Sequence, residues 1–417
     1  MNPAQGDETS PLRTISSWRT TFSSLENRNF RWYWLSSTAS FAAMQMQIVV
    51  RGWLVYDLTE SALALGLVSA SVGVPLLLFS LYGGVIADRV DKRNLLITTQ
   101  AFTVIATLVI AVLISTGAIA LWHLIIASVL SGFILAFNLP SRQAIIPQLV
   151  EKRRIMNAVA LSSGAMNLNR VVAPALGGVL VGVIGIDGVY YFMVACYAVS
   201  AALLFLVAPL GTPTPDSNGT VSGAIGEGLR YVRRSPVLLG LLIMAMVPSA
   251  FGMPYMMLMP IFAADVLDVG PSGLGYLMGA AGVGALAGSL FVASLSDFRH
   301  KGLLLLSASA LFGVFLILFA NSNYFYLSLF FLLGVGAASS SYMATNNTLL
   351  LTNTEDRVRG RVMSLYMMTI GLFPIAVLPA AAIAESLGVP LAVGAGGAIL
   401  VLFTLAMALL RPTLRRL

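Results

Sequence analysis

The chain has 417 residues, of which 58% are hydrophobic and only 10% charged, and its mean hydropathy is +0.88. Soluble domains carry roughly 25% charged residues, so too little polar surface is present here to coat a water-soluble globule. The net charge of +7 comes from basic residues scattered through short segments rather than gathered on one stripe, which argues against nucleic acid as a partner. Cys196 is the single cysteine, which excludes an intrachain disulfide framework and reads as a small buried hydrophobe. His123 and His300 stand without metal-ligand neighbours, so no cofactor is expected.

Residues 1–29 lack the apolar core of a cleavable signal peptide. They are expected as a cytoplasmic tail, with Ile15 to Asn29 lying as a short interfacial helix that dips Trp18 and Phe22 into the headgroups. A spanning helix needs about 20 apolar residues. Twelve segments qualify, near 32–56, 62–86, 94–115, 121–143, 156–184 and 188–209, then 237–263, 272–295, 302–320, 324–350, 362–384 and 389–410. An all-α membrane protein follows, with six-helix halves at 30–209 and 236–410, a cytoplasmic linker at 210–235 and a tail at 411–417. The linker opens on the turn-rich run Gly211 to Gly219 and closes on a short helix ending in Arg233 and Arg234.

Of the 24 Lys and Arg, all but Arg51 and Arg170 are assigned to the tails, the loops after even-numbered spans, or the linker. The other loops carry Asp57, Glu60, Asp187, Asp265 and Asp268 and no cation. The positive-inside rule then places both termini and the linker in the cytoplasm.

The halves echo one another. The loop Asp88-Arg89-Val90-Asp91-Lys92-Arg93 returns in worn form as Asp297-Phe298-Arg299-His300-Lys301, with Gly66 and Gly73 preceding the first as Gly275 and Gly282 precede the second. Glu151-Lys152-Arg153-Arg154 opens span 5 as Glu355-Asp356-Arg357 precedes span 11, and Pro174 and Pro379 lie inside those spans. The stretch Gly84 to Arg93 resembles the span 2–3 loop motif of the major facilitator superfamily, with Asp91 where many members carry Gly. Trp53 to Thr59, Ala173 to Gly178 and Arg359 to Tyr366 resemble the bacterial branch that includes the enterobactin and macrolide exporters. The resemblance covers about residues 28–410. It implies two parallel six-span repeats around a midplane site, with a small-molecule substrate, protons as the coupling ion, a bilayer setting and a monomer.

Asp88 closes span 2, where the dipole of its own helix disfavours negative charge. It should seek the amino-terminal end of another helix or a guanidinium, and Arg361 opens span 11 nearby. Asp88, Arg89, Arg93 and Arg361 thus form a candidate gate, and Asp297 a weaker copy reaching the start of span 5 near Asn157; a solvated loop is the plain alternative. Pro174, Gly177 and Gly178 bend span 5 and allow close helix approach, with the Gly-rich span 8 as packing partner. Arg170 lies about 21 Å into span 5 by helix rise. A lipid-exposed Arg costs at least ~2.5–3.5 kcal/mol, so it should face a cavity. Arg51 either lines that cavity or snorkels outward to Asp57 or Glu60. Gln45, Gln47, Asn138, Asn167, Asn169, Asn346 and Asn347 are the other candidate lining groups, and a Met stripe including Met44, Met46, Met256 and Met259 reads as packing or an adaptable surface.

No Asp or Glu stands at the middle of any span; Asp265 and Glu385 are the nearest candidate proton carriers. No paired carboxylates or nucleophile–base pair suggest an enzyme. The expectation is an inner-membrane exporter of amphipathic small molecules (a drug, macrolide-like compound or siderophore) working by alternating access; uptake or lipid flipping on the same scaffold is the rival. Asp88→Asn should lower transport without lowering abundance. Unchanged efflux at equal abundance would remove the gate.

Overall fold

The computed structural model describes residues 22–209, 229–295, 298, 300–355, 358, 362–363, 365–366, 368–369 and 373–415, with the side chains of 81–89, 374 and 412 outside the description. The described residues are helical and contain no strand. In chain order, α1 is Arg28–Thr59, α2 Ala62–Arg89, α3 Lys92–Ser115 and α4 Leu121–Leu149. Helix Ile155–Phe205 is broken at Gly185 (φ 75°, ψ 170°) into α5 (155–184) and α6 (186–205). Only a residue without Cβ turns a chain this way in a single step. In the second half α7 is Pro236–Val266, α8 Gly270–Ser294, α9 Lys301–Ala320, α10 Phe325–Thr352, α11 Phe373–Leu387 and α12 Val389–Leu410. Nine helices among the described residues are long and apolar enough to cross a bilayer, one of them being the folded pair α5–α6.

Local chemistry sets the helix ends. Asn27 caps α1 by accepting from the N–H groups of Asn29 and Phe30 at 2.9 and 3.2 Å. Asp91 caps α3, accepting from Arg93 and Asn94 at 2.8 and 3.3 Å, so the residue that departs from the family loop acts as a helix start. Ahead of α1, Ser23–Glu26 forms one 3-10 turn, tied down by Arg154, which donates to the Ser23 carbonyl at 2.7 Å and to Glu26 at 3.0 Å. Of the interfacial helix expected over Ile15 to Asn29, residues 15–21 lie outside the described residues, and 22–29 hold this 3-10 turn and the start of α1 instead of one continuous helix. Helix α7 contains two π turns, Pro248–Gly252 and Phe262–Val266.

Within the first half α1 packs on the α5–α6 pair and α2 on α4; in the second half α8 packs on α10 and α9 on α12. Across the halves, α5 meets α8 and α2 meets α11. The first crossing is a backbone contact. A Cβ on Gly178 would lie 2.5 Å from Gly275 Cα and 2.7 Å from the Pro271 carbonyl, and one on Gly282 would lie 2.8 Å from Val171 Cα. Gly177, one residue on, faces Met46 of α1 instead. The Gly-rich face expected in span 8 is therefore the partner of Gly178. At the second crossing, a Cβ on Gly66 would stand 2.7 Å from Ala381 Cβ. In lipid no hydrophobic force drives helices together, and small residues that admit close approach supply the packing.

The cores are asymmetric along the helix axes. Call the side bearing Ser23, Arg154 and Arg411 the tail face. Toward the opposite, far face one buried cluster joins both halves, with Val50, Leu54 and Leu65 packed alongside Leu258, Phe262, Leu274 and Ala381. Toward the tail face the clusters are separate. Phe30, Tyr33, Leu96, Ile145 and Ala158 belong to the first half, and Leu238, Leu241, Leu305, Tyr342 and Leu349 to the second. The α5–α8 glycine contacts run from Gly182 to Val171, and Gly164 nearer the tail face has nothing within 4 Å of where its Cβ would be. Among the described residues the halves thus meet on the far side and have separate cores toward the tails.

Gly178→Val should lower thermal stability or folded yield by the equivalent of about 1–3 kcal/mol, the usual range for overpacking. Gly164→Ala should be neutral. The melting temperatures of the two purified variants check this.

Candidate functional site

Helix α4 runs to Leu149, past the end expected for span 4 at residue 143. Arg142, counted above among the cations outside the spans although it falls one residue inside that expected end, is therefore a correction: it lies two turns inside α4 and is 5% exposed. Drawn to residue 143, the expected span left Arg142 at its rim, but the segment through Ile145, Ile146 and Pro147 continues the helix and buries it.

Each nitrogen of the Arg142 guanidinium has a neutral partner. Nε donates to Asn138 Oδ1 at 2.6 Å, one turn back on α4; Nη1 donates to Ser37 Oγ of α1 at 2.8 Å; Nη2 donates to Gln100 Oε1 of α3 at 3.2 Å. The partners are held in turn. Asn138 Nδ2 donates to Thr99 at 2.9 Å, Ser40 donates to Gln100 Oε1 at 3.2 Å, and Gln100 Nε2 donates to the Tyr197 carbonyl at 3.4 Å. Tyr33 donates to the Arg142 carbonyl at 2.6 Å, and the guanidinium lies 5.6 Å from the Phe41 ring centre. Asn138 thus serves a network inside the first half. Gln47 accepts from the Tyr197 hydroxyl at 3.1 Å on the same network.

A cavity of about 420 Å³ opens beside Arg142 toward the tail face. Tyr33, Trp34, Ser37 and Phe41 of α1, Arg142 and Gln143 of α4, and Ser163 and Met166 of α5 line it. Arg170 continues the Ser163–Met166–Asn167 stripe by one turn, and both Asn167 and Arg170 are exposed. The opposite face of α5 exposes Leu168, Val172 and Leu176, an apolar surface suited to lipid. Asn169 points elsewhere and donates to the Thr38 carbonyl of α1 at 3.0 Å. Helical spacing thus separates the two asparagines: Asn169 joins α5 to α1, and Asn167 shares the stripe of Arg170.

Arg51 does not snorkel to Asp57 or Glu60. It turns inward and donates from Nη1 to Ser128 of α4 at 3.2 Å. Asn346, fully buried in α10, has neither amide atom hydrogen-bonded, and Asn347 Oδ1 is also unpartnered. Of the Met stripe, Met46 and Met259 are core residues, while Met44 lines a second, smaller cavity beside Arg142.

Among the gate residues, Asp297 and Arg361 and the side chains of Asp88 and Arg89 lie outside the described residues. Arg93 donates from Nη2 to the Phe205 carbonyl at the end of α6 at 2.9 Å, a bond within its own half. The described cross-half polar contacts lie on the far face. Tyr56 at the end of α1 donates a short hydrogen bond to Asp265 in the second π turn of α7. Glu385 of α11 accepts from Ser61 Oγ at 3.1 Å and from the Leu63 N–H at 3.1 Å. It caps the start of α2, where a carboxylate meets free N–H groups and the positive end of the helix. The two acids nominated as proton carriers are thus both engaged in holding the halves together. Sequence had no means of pairing them, since their partners are a loop serine, a backbone N–H and a tyrosine.

Two helical halves, joined across one face by small residues and parted toward the other beside a polar cavity, define a membrane transporter rather than an enzyme. The chain belongs to the transmembrane secretion effector family of the major facilitator superfamily, whose profile matches residues 19–416. It is 26% identical over 360 residues to the staphyloferrin A transporter of Staphylococcus aureus, covering 86% of this chain and 90% of that protein. It is 25% identical to the multidrug efflux pump Tap of Mycolicibacterium fortuitum (76% and 79% covered) and 25% identical to the enterobactin exporter of Shigella flexneri (74% and 73%). Among solved structures, a POT family transporter superposes with a TM-score of 0.75 at 12% identity, covering 93% of this chain and 97% of that one.

Glu385→Ala should loosen the far face. In a Cys196→Ser background, a cysteine at Leu65, now 5% exposed, should react about fivefold faster with an impermeant maleimide, the population shift that ~1 kcal/mol brings. An unchanged rate would show that the carboxylate contributes nothing to closure.

Proposed function

We propose that this chain is a secondary active exporter of amphipathic small molecules, driven by protons and working as a monomer by alternating access. It would cross the bacterial inner membrane twelve times with both termini in the cytoplasm. The observation that carries this reading is the asymmetry of the cores, joined across the far face and divided toward the tail face. With the tails in the cytoplasm, as the basic-residue bias favours, this arrangement is an inward-open state. The cavity beside Arg142 then receives cargo from the cell or the inner leaflet. The halves rock about the α5–α8 and α2–α11 crossings. Far-face opening breaks the Tyr56–Asp265 and Glu385 bonds, while the Asp88–Arg361 gate closes the tail side.

The cavity chemistry supports cargo with an aromatic or alicyclic body and an anionic or hydrogen-bond-rich group. Tyr33, Trp34, Phe41 and Met166 supply adaptable apolar contacts and Arg142 supplies donors, with Asn167 and Arg170 next along the same exposed stripe of α5. Siderophores and hydrogen-bond-rich drugs answer that description, in line with the names of the relatives. Gln47, Asn138, Arg51 and Asn346 stand deeper and would shape or gate the site rather than meet cargo first.

Cells expressing the chain should accumulate less of one or more compounds from a panel of fluorescent drugs and siderophores, and a protonophore should abolish the difference. Arg170→Ala should reduce that efflux at least severalfold at equal membrane abundance. Accumulation equal to that of empty cells across the panel, or uptake by right-side-out vesicles, would overturn export.

A further inference from the structure

The first half contains a buried positive charge that no group among the described residues balances. Arg142 is always protonated and is 5% exposed. Asn138, Ser37 and Gln100 occupy one N–H on each of its three nitrogens, so two of its five N–H donors remain, one on each terminal nitrogen. These neutral dipoles solvate the cation without cancelling its charge, and buried charges are ordinarily paired. The ion pairs among the described residues are Arg153–Glu151 and Arg154–Glu26, neither of which involves Arg142. Residues 30–56, 92–149 and 155–186, which form nearly all of α1 and α3–α5, contain no Asp or Glu. A second uncompensated guanidinium, Arg51, lies along the same bundle and is bonded to Ser128.

Space meets this charge on two sides. Besides the 420 Å³ cavity, a cavity of about 60 Å³ borders Arg142, lined by Ser40, Gln47, Gln100, Asn138 and Tyr197 among others. It has room for a particle the size of a water molecule or two. Its polar lining is made of amides and hydroxyls, which can donate to an anion and offer no negative charge to repel one. Among the described residues the amide nitrogen of Gln47 has no hydrogen-bond acceptor, while its oxygen accepts from the Tyr197 hydroxyl.

We propose that Arg142 anchors a buried anion site that holds a small monovalent inorganic ion of halide size when no cargo is bound. The free N–H groups of the guanidinium donate to the ion, and the ion supplies the missing negative charge. It enters through the 420 Å³ cavity, and the proposal rests on the exporter reading only for that route. The anionic group of a cargo offers the same chemistry and would displace the halide.

The test uses the full purified chain in detergent, without cargo or added phospholipid, as chloride or bromide replaces the bulky anion gluconate at fixed ionic strength. Halide should raise the melting temperature along a saturating curve, by roughly a few degrees at the plateau. Arg142→Gln should abolish the dependence. Arg142→Lys, which keeps the charge but loses the planar fork, should need at least about tenfold more halide; it also serves as the reading variant if Arg142→Gln does not fold. A wild-type chain indifferent to halide, or a variant response equal to wild type, overturns the site. A chain that exports drugs yet ignores halide defeats this proposal alone; one that responds to halide yet exports nothing defeats the exporter reading alone.

Discussion

Gly178 and Gly275 bring the backbones of α5 and α8 so close that a single methyl group between them would collide with main-chain atoms. Lipid solvates apolar helices as well as other helices do, so two halves that merely touched through leucines would gain little by associating. Backbone proximity changes that balance, because it brings many atoms into van der Waals range at once. The same closeness limits how the halves can move. Gly178, Gly275 and Gly282 all lie toward the far face, which makes that region an axis, while the segments nearer the tails are free to separate.

The polar groups follow the same division. On the far face, Asp265 and Glu385 hold the closed side with hydrogen bonds whose donors are Tyr56, Ser61 and the Leu63 N–H. These are exposed contacts, of the kind that contribute little individually and break without great cost. On the open side, the polar groups are turned into the first half, around Arg142. A closure made of weak, water-accessible bonds and an interior made of strong, buried ones fits the proposed alternating access, in which one end opens while the bundle stays intact.

Much of this was legible in the sequence, for reasons that differ by element. Helices were legible because hydrocarbon demands long apolar runs, and even the α5–α6 boundary at Gly185 fell between two expected spans. Gly178 and the glycines of span 8 were legible because small residues in lipid-facing helices point to packing. Arg142 was not. It stood in the last turn of the expected span and read as a flanking cation, and the cue that would have found it is its position four residues after Asn138 within a helix that continues to Leu149. Arg51 was recognised as intramembrane but its direction was open, because sequence does not say that Ser128 faces it across the bundle. Asp265 and Glu385 read only as acids on the correct face, since their roles depend on contacts between distant parts of the chain.

The turn at Gly185 deserves a mechanical reading. A single residue connects α5 to α6, so the joint has no slack. Longer connections, such as the 116–120 segment between α3 and α4, let neighbouring rods slide before they pull on one another. Here any tilt of α5 about its glycine contact drags α6 at once, and through Arg93, which grips the far end of α6 at Phe205, the start of α3 as well. In the proposed rocking motion α5 and α6 would therefore move as one lever, with α3 tethered to its tail-side end.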